Sequence, residues 1–421
     1  MHPQPMLQAA AQLLALVLAF EHPADAVVAR YLREHHEFGP RERAVLSETV
    51  YAVLRKKLLL EHLAQSGHGA HARRLALLGF AAPRDFLQPA LNDQEKQWLT
   101  ACDALPAAAL PESCLHNLPG WLADALRQQL GDEFEALAAS LLQPAPLDLR
   151  VNILKQKRPQ TQAALWQHAI ESKATPYSPW GLRVTGKPAL TRLAAYADGA
   201  FEIQDEGSQL LALLLQARRG ELVVDFCAGA GGKTLALGAA MRGQGRLYAF
   251  DTSAHRLQAL APRLARAGLH NVHTAAIAHE WDARVRALAG KADRVLVDAP
   301  CSGLGTLRRA PDLKWRTTPA QIAAYAQRQA AILQAAATLV KPGGRLLYAT
   351  CSLLAEENEA VAAAFSAQTH DFTPLNAAQC LTALKVPAAP TLTTTASHLR
   401  LWPHRHGTDG FFAALWQREG R

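Results

Sequence analysis

The stretch DFCAGAGGKT, residues 225–234, follows the apolar run Leu222-Val223-Val224 and leads into an alanine- and leucine-rich segment from Leu235. A buried strand, a glycine-bearing turn and a helix, in that order, open a βα unit, and open α/β sheets bind ligands where the carboxyl end of a strand meets such a turn. Gly232-Lys233-Thr234 is how a phosphate-binding loop ends, but G-x-x-x-x-G-K-[ST] needs a glycine at position 227, where Cys227 stands. A dinucleotide fingerprint started at Gly229-x-Gly231 needs a third glycine where Thr234 stands. The turn therefore belongs to neither pattern.

Beyond residue 220 the runs ELVVDF, GRLYAFD, NVHTAA, DRVLVDA and GGRLLYATC alternate with helical segments such as SAHRLQALAPRLARAG and PAQIAAYAQRQAAILQAAATLV. This alternation predicts a doubly wound, mostly parallel sheet. Asp251 closes the second strand, where a carboxylate accepts hydrogen bonds from two ribose hydroxyls, and the glycines let the backbone close on the ligand. A nucleoside without a polyphosphate satisfies that arrangement, and S-adenosylmethionine is the common cofactor of this description. VLVDAP at residues 295–300 also suits the acidic strand end of a P-loop enzyme, so an NTPase stands as the alternative.

A chain of 421 residues is too long for one ordinary core and predicts two or three domains. Residues 1–143 read as helical throughout. In FGPRERAVLSETVYAVLRKKLLLEHL, Gly39-Pro40 opens a helix with Val45, Leu46, Val50, Val53 and Leu54 inward, and Arg41, Arg43, Arg55, Lys56 and Lys57 at its ends and outer side. Those charges suit either a solvated face or an RNA-docking surface. Pro144 and Pro146 mark a boundary, and residues 144–200 mix short β-like runs (LDLRVNI, GLRVT) with a helix around Thr161 to Glu171. Residues 201–421 form the third expected domain.

The formal charge of +8, from 44 basic against 36 acidic residues, suits a polyanionic partner but is spread along the chain. The apolar stretch from Leu7 to Phe20 is too short to span a bilayer, and no Lys or Arg precedes it, so a membrane anchor and a secretory leader are not expected and a cytoplasmic protein is. The six cysteines (102, 114, 227, 301, 351, 380) form no C-x-x-C pair, and the seventeen histidines show no metal-ligand spacing. Reduced thiols and no metal are expected.

Asp298 and Cys301 stand three residues apart just past the fourth strand, and Cys351 just past the next. An NTPase has no use for two thiols there. DFCAGAGGKT, VDAPCSGLGTLRRAPDLKWR, YATCS followed by EENE, and the closing GTDGFFAALWQR resemble successive motifs of the RNA cytosine-5 methyltransferases, the RsmB/Sun/Nop family, across residues 145–421. RERAVLSETVYAVLRKK is similar to the NusB-like helical domain of the RsmB branch. The resemblance implies a Rossmann-type class I methyltransferase domain, preceded by a small α/β RNA-recognition-like module and an all-α NusB-like domain.

The family's chemistry needs these side chains. C5 of cytosine is a poor nucleophile; a thiolate adding to C6 makes an enamine whose C5 attacks an electrophilic methyl. An unperturbed thiol is only about 3% ionised at pH 7, so the attacking group benefits from nearby positive charge. The resemblance implies that Cys351 attacks, that Cys301 assists breakdown of the adduct, that Asp298 hydrogen-bonds the amide edge of the cytosine, and that Lys233 steadies the same site. It implies cofactor contacts from Cys227, Ala228, Gly229, Ala230, Gly231, Gly232, Lys233, Asp251, Arg256 and Asp298. RNA is the implied partner, ribosomal RNA of the 16S type, free or in a small-subunit assembly intermediate, and the enzyme is expected to act as a monomer. Arg308, Arg309, Lys314 and Trp315 in LRRAPDLKW are expected as RNA contacts by phosphate pairing and stacking. A non-catalytic ribosome-assembly factor is the second alternative, which intact Cys301, Cys351 and Asp298 oppose.

Two departures stand out. The family writes Ala-Pro-Gly-Gly-Lys where this chain has Gly229-Ala230-Gly231-Gly232-Lys233, and losing the proline loosens the turn. The family commonly carries an acidic residue after the third strand, where this chain reads TAAIAHEWD; Asp282 is the nearest Asp, displaced by several positions, and is not assigned to that contact.

Overall fold

The computed structural model describes residues 2–394 and 397–420. The chain divides into two compact units: one holds the first 144 residues together with Thr306–Thr318, and the other holds the rest.

The first unit is helical. Its core is built by α1 (Pro3–Val17), α2 (Ala24–Glu34), α3 (Pro40–Arg55), α4 (Lys57–Ala64) and α5 (His71–Gly79). Leu7, Leu13 and Leu14 of α1 meet Leu46, Val50, Val53 and Leu54 of α3 and Leu75 of α5, all excluded from solvent, with Val45 half-buried beside them. Apolar residues at three- and four-residue spacing produce this outcome by lining one face of each helix.

The returning segment Thr306–Thr318 is held by four long-range hydrogen bonds. Ala24 N donates to Asp312 Oδ2 at 3.2 Å, Trp315 Nε1 to the Leu54 carbonyl at 2.7 Å, Lys314 Nζ to the Arg55 carbonyl at 2.9 Å, and Arg55 Nη2 to the Arg308 carbonyl at 3.2 Å. This corrects the expectation for LRRAPDLKW. Arg308 and Lys314 are buried and Trp315 packs against the helical core, so these three are spent on packing within the unit, and only Arg309 is exposed. Arg55 likewise turns inward, since its guanidinium serves a backbone carbonyl.

In the second unit, β1 (Leu147–Val151), β2 (Ser172–Ala174), β3 (Gly181–Val184) and β4 (Phe201–Ile203) form an antiparallel sheet of order β2-β3-β1-β4, with α6 (Arg158–Trp166) beside it. The helix stops five residues short of the expected end because the chain turns at Ala169, in the left-handed region at φ 55°. β2 and β4 were too short to show a strand pattern. The boundary expected near residue 200 is no break in packing: α7 (Glu206–Leu215) is tied back by Glu206, which accepts from Tyr177 N at 2.6 Å and Ser178 N at 2.7 Å.

The larger sheet has eight strands. β5 (Leu222–Asp225), β6 (Arg246–Asp251), β7 (Val272–Ala276), β8 (Ala292–Asp298) and β9 (Val340–Thr350) are parallel, in the order β9-β8-β5-β6-β7. Beyond β9 the sheet continues antiparallel through β12 (Phe411–Arg418) to β10 (Phe372–Pro374), and β11 (Leu399–Leu401) also pairs with β12. Val223, Val224, Val295, Leu296, Val297, Leu346 and Leu347 are wholly buried, as continuous apolar runs covered on both faces must be. Helices α8 (Gly232–Ala240), α9 (Ala254–Ala267), α10 (Pro319–Ala337) and α11 (Glu359–Gln368) accompany the strands. Parallel pairing puts the carboxyl ends of β5 to β9 on one edge, so Asp225, Asp251, Asp298 and Thr350 end their strands side by side. Among the described residues no helix is long and apolar enough to cross a membrane.

Burial and the neighbouring Arg55 lower Lys314 to about 7, against about 10.4 for a free lysine. Between those values the unfolded chain holds a proton that the folded chain lacks, so the contribution of Lys314 to stability rises with pH from about 7 to about 10 and is flat below. Thermal unfolding across that range should show the rise in the native protein and lose it in Lys314→Met.

Candidate active site

The turn after β5 is shaped by positive φ at Gly229 (55°) and Gly231 (85°). A Cβ on Gly231 would lie 2.1 Å from Leu260 Cδ1, so this glycine is required by both angle and space. Backbone and side chain fix the rest: Ala228 N donates to the Phe250 carbonyl at 2.8 Å, Gly229 N to Asp251 Oδ2 at 2.8 Å, and Ser253 N to Asp251 Oδ1 at 2.7 Å. Asp251 thus ties the first turn to the second. Thr234 Oγ1 donates to Asp225 Oδ2 at 2.7 Å, and complete burial raises the Asp225 carboxyl to about 7 despite that bond.

The looseness expected from Gly229-Ala230 is countered by a residue the sequence reading did not single out. Arg263 of α9 donates through Nη1 to the Ala230 carbonyl and through Nη2 to Glu202 Oε2 at 2.9 Å. Glu202, on β4, is buried and also accepts from Arg266. The loop is clamped from outside where a proline would stiffen it from within.

Residues 227–230, 232 and 233 of the turn border a cavity of about 790 Å³, together with Asp251, Arg256, Asp298, Cys301 and Cys351. Gly231 does not border it; its part is to turn the chain. Arg256 is exposed at the rim, and its backbone N–H is 3.3 Å from Ser253 Oγ. After β7 the wall is Ile277, Ala278, His279 and Glu280. Asp282 is used elsewhere, accepting from Ala278 N at 3.1 Å and Arg284 N at 2.9 Å as the cap of a short helix. Tyr325 and Arg328, on one face of α10, also border the cavity and carried no motif in the sequence.

At the ends of β8 and β9 four reactive side chains gather. Cys301 Sγ lies 3.4 Å from Cys351 Sγ, and Lys233 Nζ lies 2.7 Å from Asp298 Oδ2. The hydrogen bond to Cys351, then burial, then the charges of Cys351 and Glu357 push the Cys301 thiol well above its ordinary value. Burial works against the Lys233 ammonium, but the charge and hydrogen bond of Asp298, with Cys351 and Asp225, outweigh it and hold lysine above its usual range. A fixed cation therefore stands among the groups that carry negative charge. Burial and the surrounding carboxylates raise the Cys227 thiol well above its ordinary value, so it presents itself as an uncharged wall. Among the described residues no cluster of three His, Cys, Asp or Glu side chains is arranged to hold a metal ion.

Comparison with known proteins places this geometry. A family model described as 16S rRNA methyltransferase RsmB/F matches residues 212–417, and one described as an RsmF/B-like ferredoxin-like domain matches residues 118–191. A probable ribosomal RNA small subunit methyltransferase B of Synechocystis is 38% identical over 308 residues, covering 71% of this chain and 66% of that protein. Its counterpart in Bacillus subtilis is 28% identical over 427 residues, covering 91% and 92%. The chain thus spans about two thirds of the first of these relatives and nearly all of the second. Among solved structures, that of PH0851 is similar over 99% of both chains, with TM-score 0.79 and 25% identity. NSun6 from Pyrococcus horikoshii with SFG shares the fold over 73% of this chain and 100% of its own, with TM-score 0.63 and 22% identity. With both models matching in succession and relatives aligned at this identity, the chain belongs to the 16S rRNA methyltransferase RsmB/F family.

Proposed function

We propose that this protein methylates C5 of a cytosine in ribosomal RNA, using S-adenosylmethionine and a covalent bond between Cys351 Sγ and cytosine C6. The observation that carries the reading is the pair of thiols 3.4 Å apart at adjacent strand ends, beside the Lys233–Asp298 pair.

The residues present fit the cofactor. The cavity, about 790 Å³, falls within the roughly 300–1,000 Å³ usual for small-molecule sites. The glycine turn offers backbone at close range, Asp251 offers a carboxylate at the end of β6, and Ile277 supplies an apolar wall beyond it. When bound there, S-adenosylmethionine supplies an electrophilic methyl group on a sulfonium. Residues 227–230, 232 and 233, with Asp251 and Arg256, would hold it.

Within that frame each side chain has one task. Cys351, as thiolate, adds to C6; the S–C6 bond forms, the C5=C6 pair shifts between C4 and C5, the C4=N3 pair moves onto N3, which takes a proton from solvent, and Asp298 accepts a hydrogen bond from that protonated amide edge. Lys233 keeps the Asp298 carboxylate in place. Once C5 carries the methyl, its proton passes to solvent water; the C5–H pair becomes the C5=C6 bond, Cys351 departs with the S–C6 pair, and N3 gives up the proton it took. Cys301, in van der Waals reach of the same sulfur, assists that breakdown. The target base must leave its stack to reach Cys351. Lys233, already committed to Asp298, gives no support to a triphosphate-binding loop.

Three variants test this scheme with purified protein, S-adenosylmethionine and small-subunit ribosomal RNA transcript. Cys351→Ala should abolish methyl transfer and any covalent protein–RNA complex on denaturing gels; an active Cys351→Ala enzyme refutes the scheme. Cys301→Ala should accumulate that complex. Arg263→Ala frees the Ala230 carbonyl, and a hydrogen bond worth about 0.5–1.5 kcal/mol translates into a roughly 3- to 10-fold weaker Kd for S-adenosylmethionine by calorimetry.

A further inference from the structure

Glu357, on the turn after β9, is wholly buried and has no part in the scheme above. Four neutral donors converge on its carboxylate. Ser302 N at 2.8 Å and Gln329 Nε2 at 3.0 Å donate to Oε1, while Ser302 Oγ and Ser352 Oγ, each at 2.5 Å, donate to Oε2. Gln329 Nε2 also reaches the Pro300 carbonyl at 3.0 Å. The residues next in sequence after both cysteines are therefore gathered on Glu357, and the one before Cys301 is held by Gln329, which itself donates to Glu357.

The two cysteines do not depend on it equally. Cys351 directly follows β9, which is paired with β8 on one side and β12 on the other. Cys301 lies beyond the end of β8 on a loop that begins Ala299-Pro300, and Glu357 and Gln329 hold that loop. Burying a carboxylate is costly unless its lone pairs are filled, and four donors filling them make a stiff junction.

We propose that Glu357 is a positioning residue that pins the Cys301 loop to the end of β9, so that Cys301 stands where the covalent intermediate is taken apart. This rests on the roles assigned above to Cys301 and Cys351. Loosening the junction displaces Cys301 and leaves Cys351 on its strand, so attack continues while breakdown slows. A side chain that only stabilised the fold would have the opposite signature, since damage would lower the adduct together with turnover.

The experiment uses the full-length protein, S-adenosylmethionine and small-subunit ribosomal RNA transcript. Glu357→Asp keeps the charge but is one methylene too short to reach all four donors, and Ser302→Ala removes one arm of the junction. Both should turn over roughly 10- to 100-fold more slowly, as misplacement by about 1 Å does, while the fraction trapped as covalent protein–RNA complex rises toward that of Cys301→Ala. Binding of S-adenosylmethionine should stay within about twofold of the native protein, because the cofactor turn is untouched. Unchanged turnover, or an adduct that falls in step with turnover, overturns the proposal. If Glu357→Asp fails to bind S-adenosylmethionine or to unfold cooperatively, Ser302→Ala decides alone by the same two readouts. Should Cys301→Ala itself trap nothing, the assignment of the two thiols fails first, and the role of Glu357 with it.

Discussion

Everything at the reactive centre depends on the parallel pairing of β8 with β9, in which Asp298 stands opposite Ala349. That register puts the ends of two strands fifty residues apart in sequence on one edge, where their following residues meet as Cys301 and Cys351. It is held by side chains that never touch a ligand: Val295, Leu296 and Val297 of β8 and Leu346, Leu347 and Tyr348 of β9 are all wholly buried. Because successive side chains alternate between faces, a slip of one residue would turn each of these to the wrong layer, so the core enforces the register on which the chemistry depends.

The polar groups around that edge are arranged in pairs, each solving a burial problem for the other. Lys233 and Asp298 neutralise one another where either alone would be expensive. Glu202 sits among Arg263 and Arg266 and thereby holds the Ala230 carbonyl of the turn. Glu357 is satisfied by neutral donors instead, which leaves its charge to act on Cys301.

The helical unit shows the opposite use of charge. Arg55, Lys314 and Arg308 lie in sequences that read as basic surface, yet Arg55 and Lys314 donate to the carbonyls of Arg308 and Arg55, and Arg308 itself is buried. Lys314 reaches a carbonyl through a long apolar stem, which is why a lysine can occupy so closed a position. A cation count along the chain therefore overstates the positive surface available to RNA.

Local pattern sufficed for much of this protein. The five parallel strands follow from short runs of apolar residues, four of them ending in Asp or Thr, and the ligand edge follows from where those runs end. The glycine spacing ruled against a P-loop, and Asp298, Cys301 and Cys351 stood out because Asp298 ends one strand and the two cysteines lie within three residues of strand ends. What the chain could not disclose was whatever depends on contact between distant segments. Nothing near Ala230 announces Arg263, nothing in EENE says that Glu357 reaches Ser302, and nothing in LRRAPDLKW says that it packs on α3. Sequence by itself determined the strands, the turn and which candidate side chains stand at the strand ends, because backbone periodicity and residue chemistry are local properties. Tertiary structure alone decided which charges are spent, which carbonyl is clamped and how far apart the two sulfurs stand, because burial and hydrogen-bond partners exist only once remote segments have met.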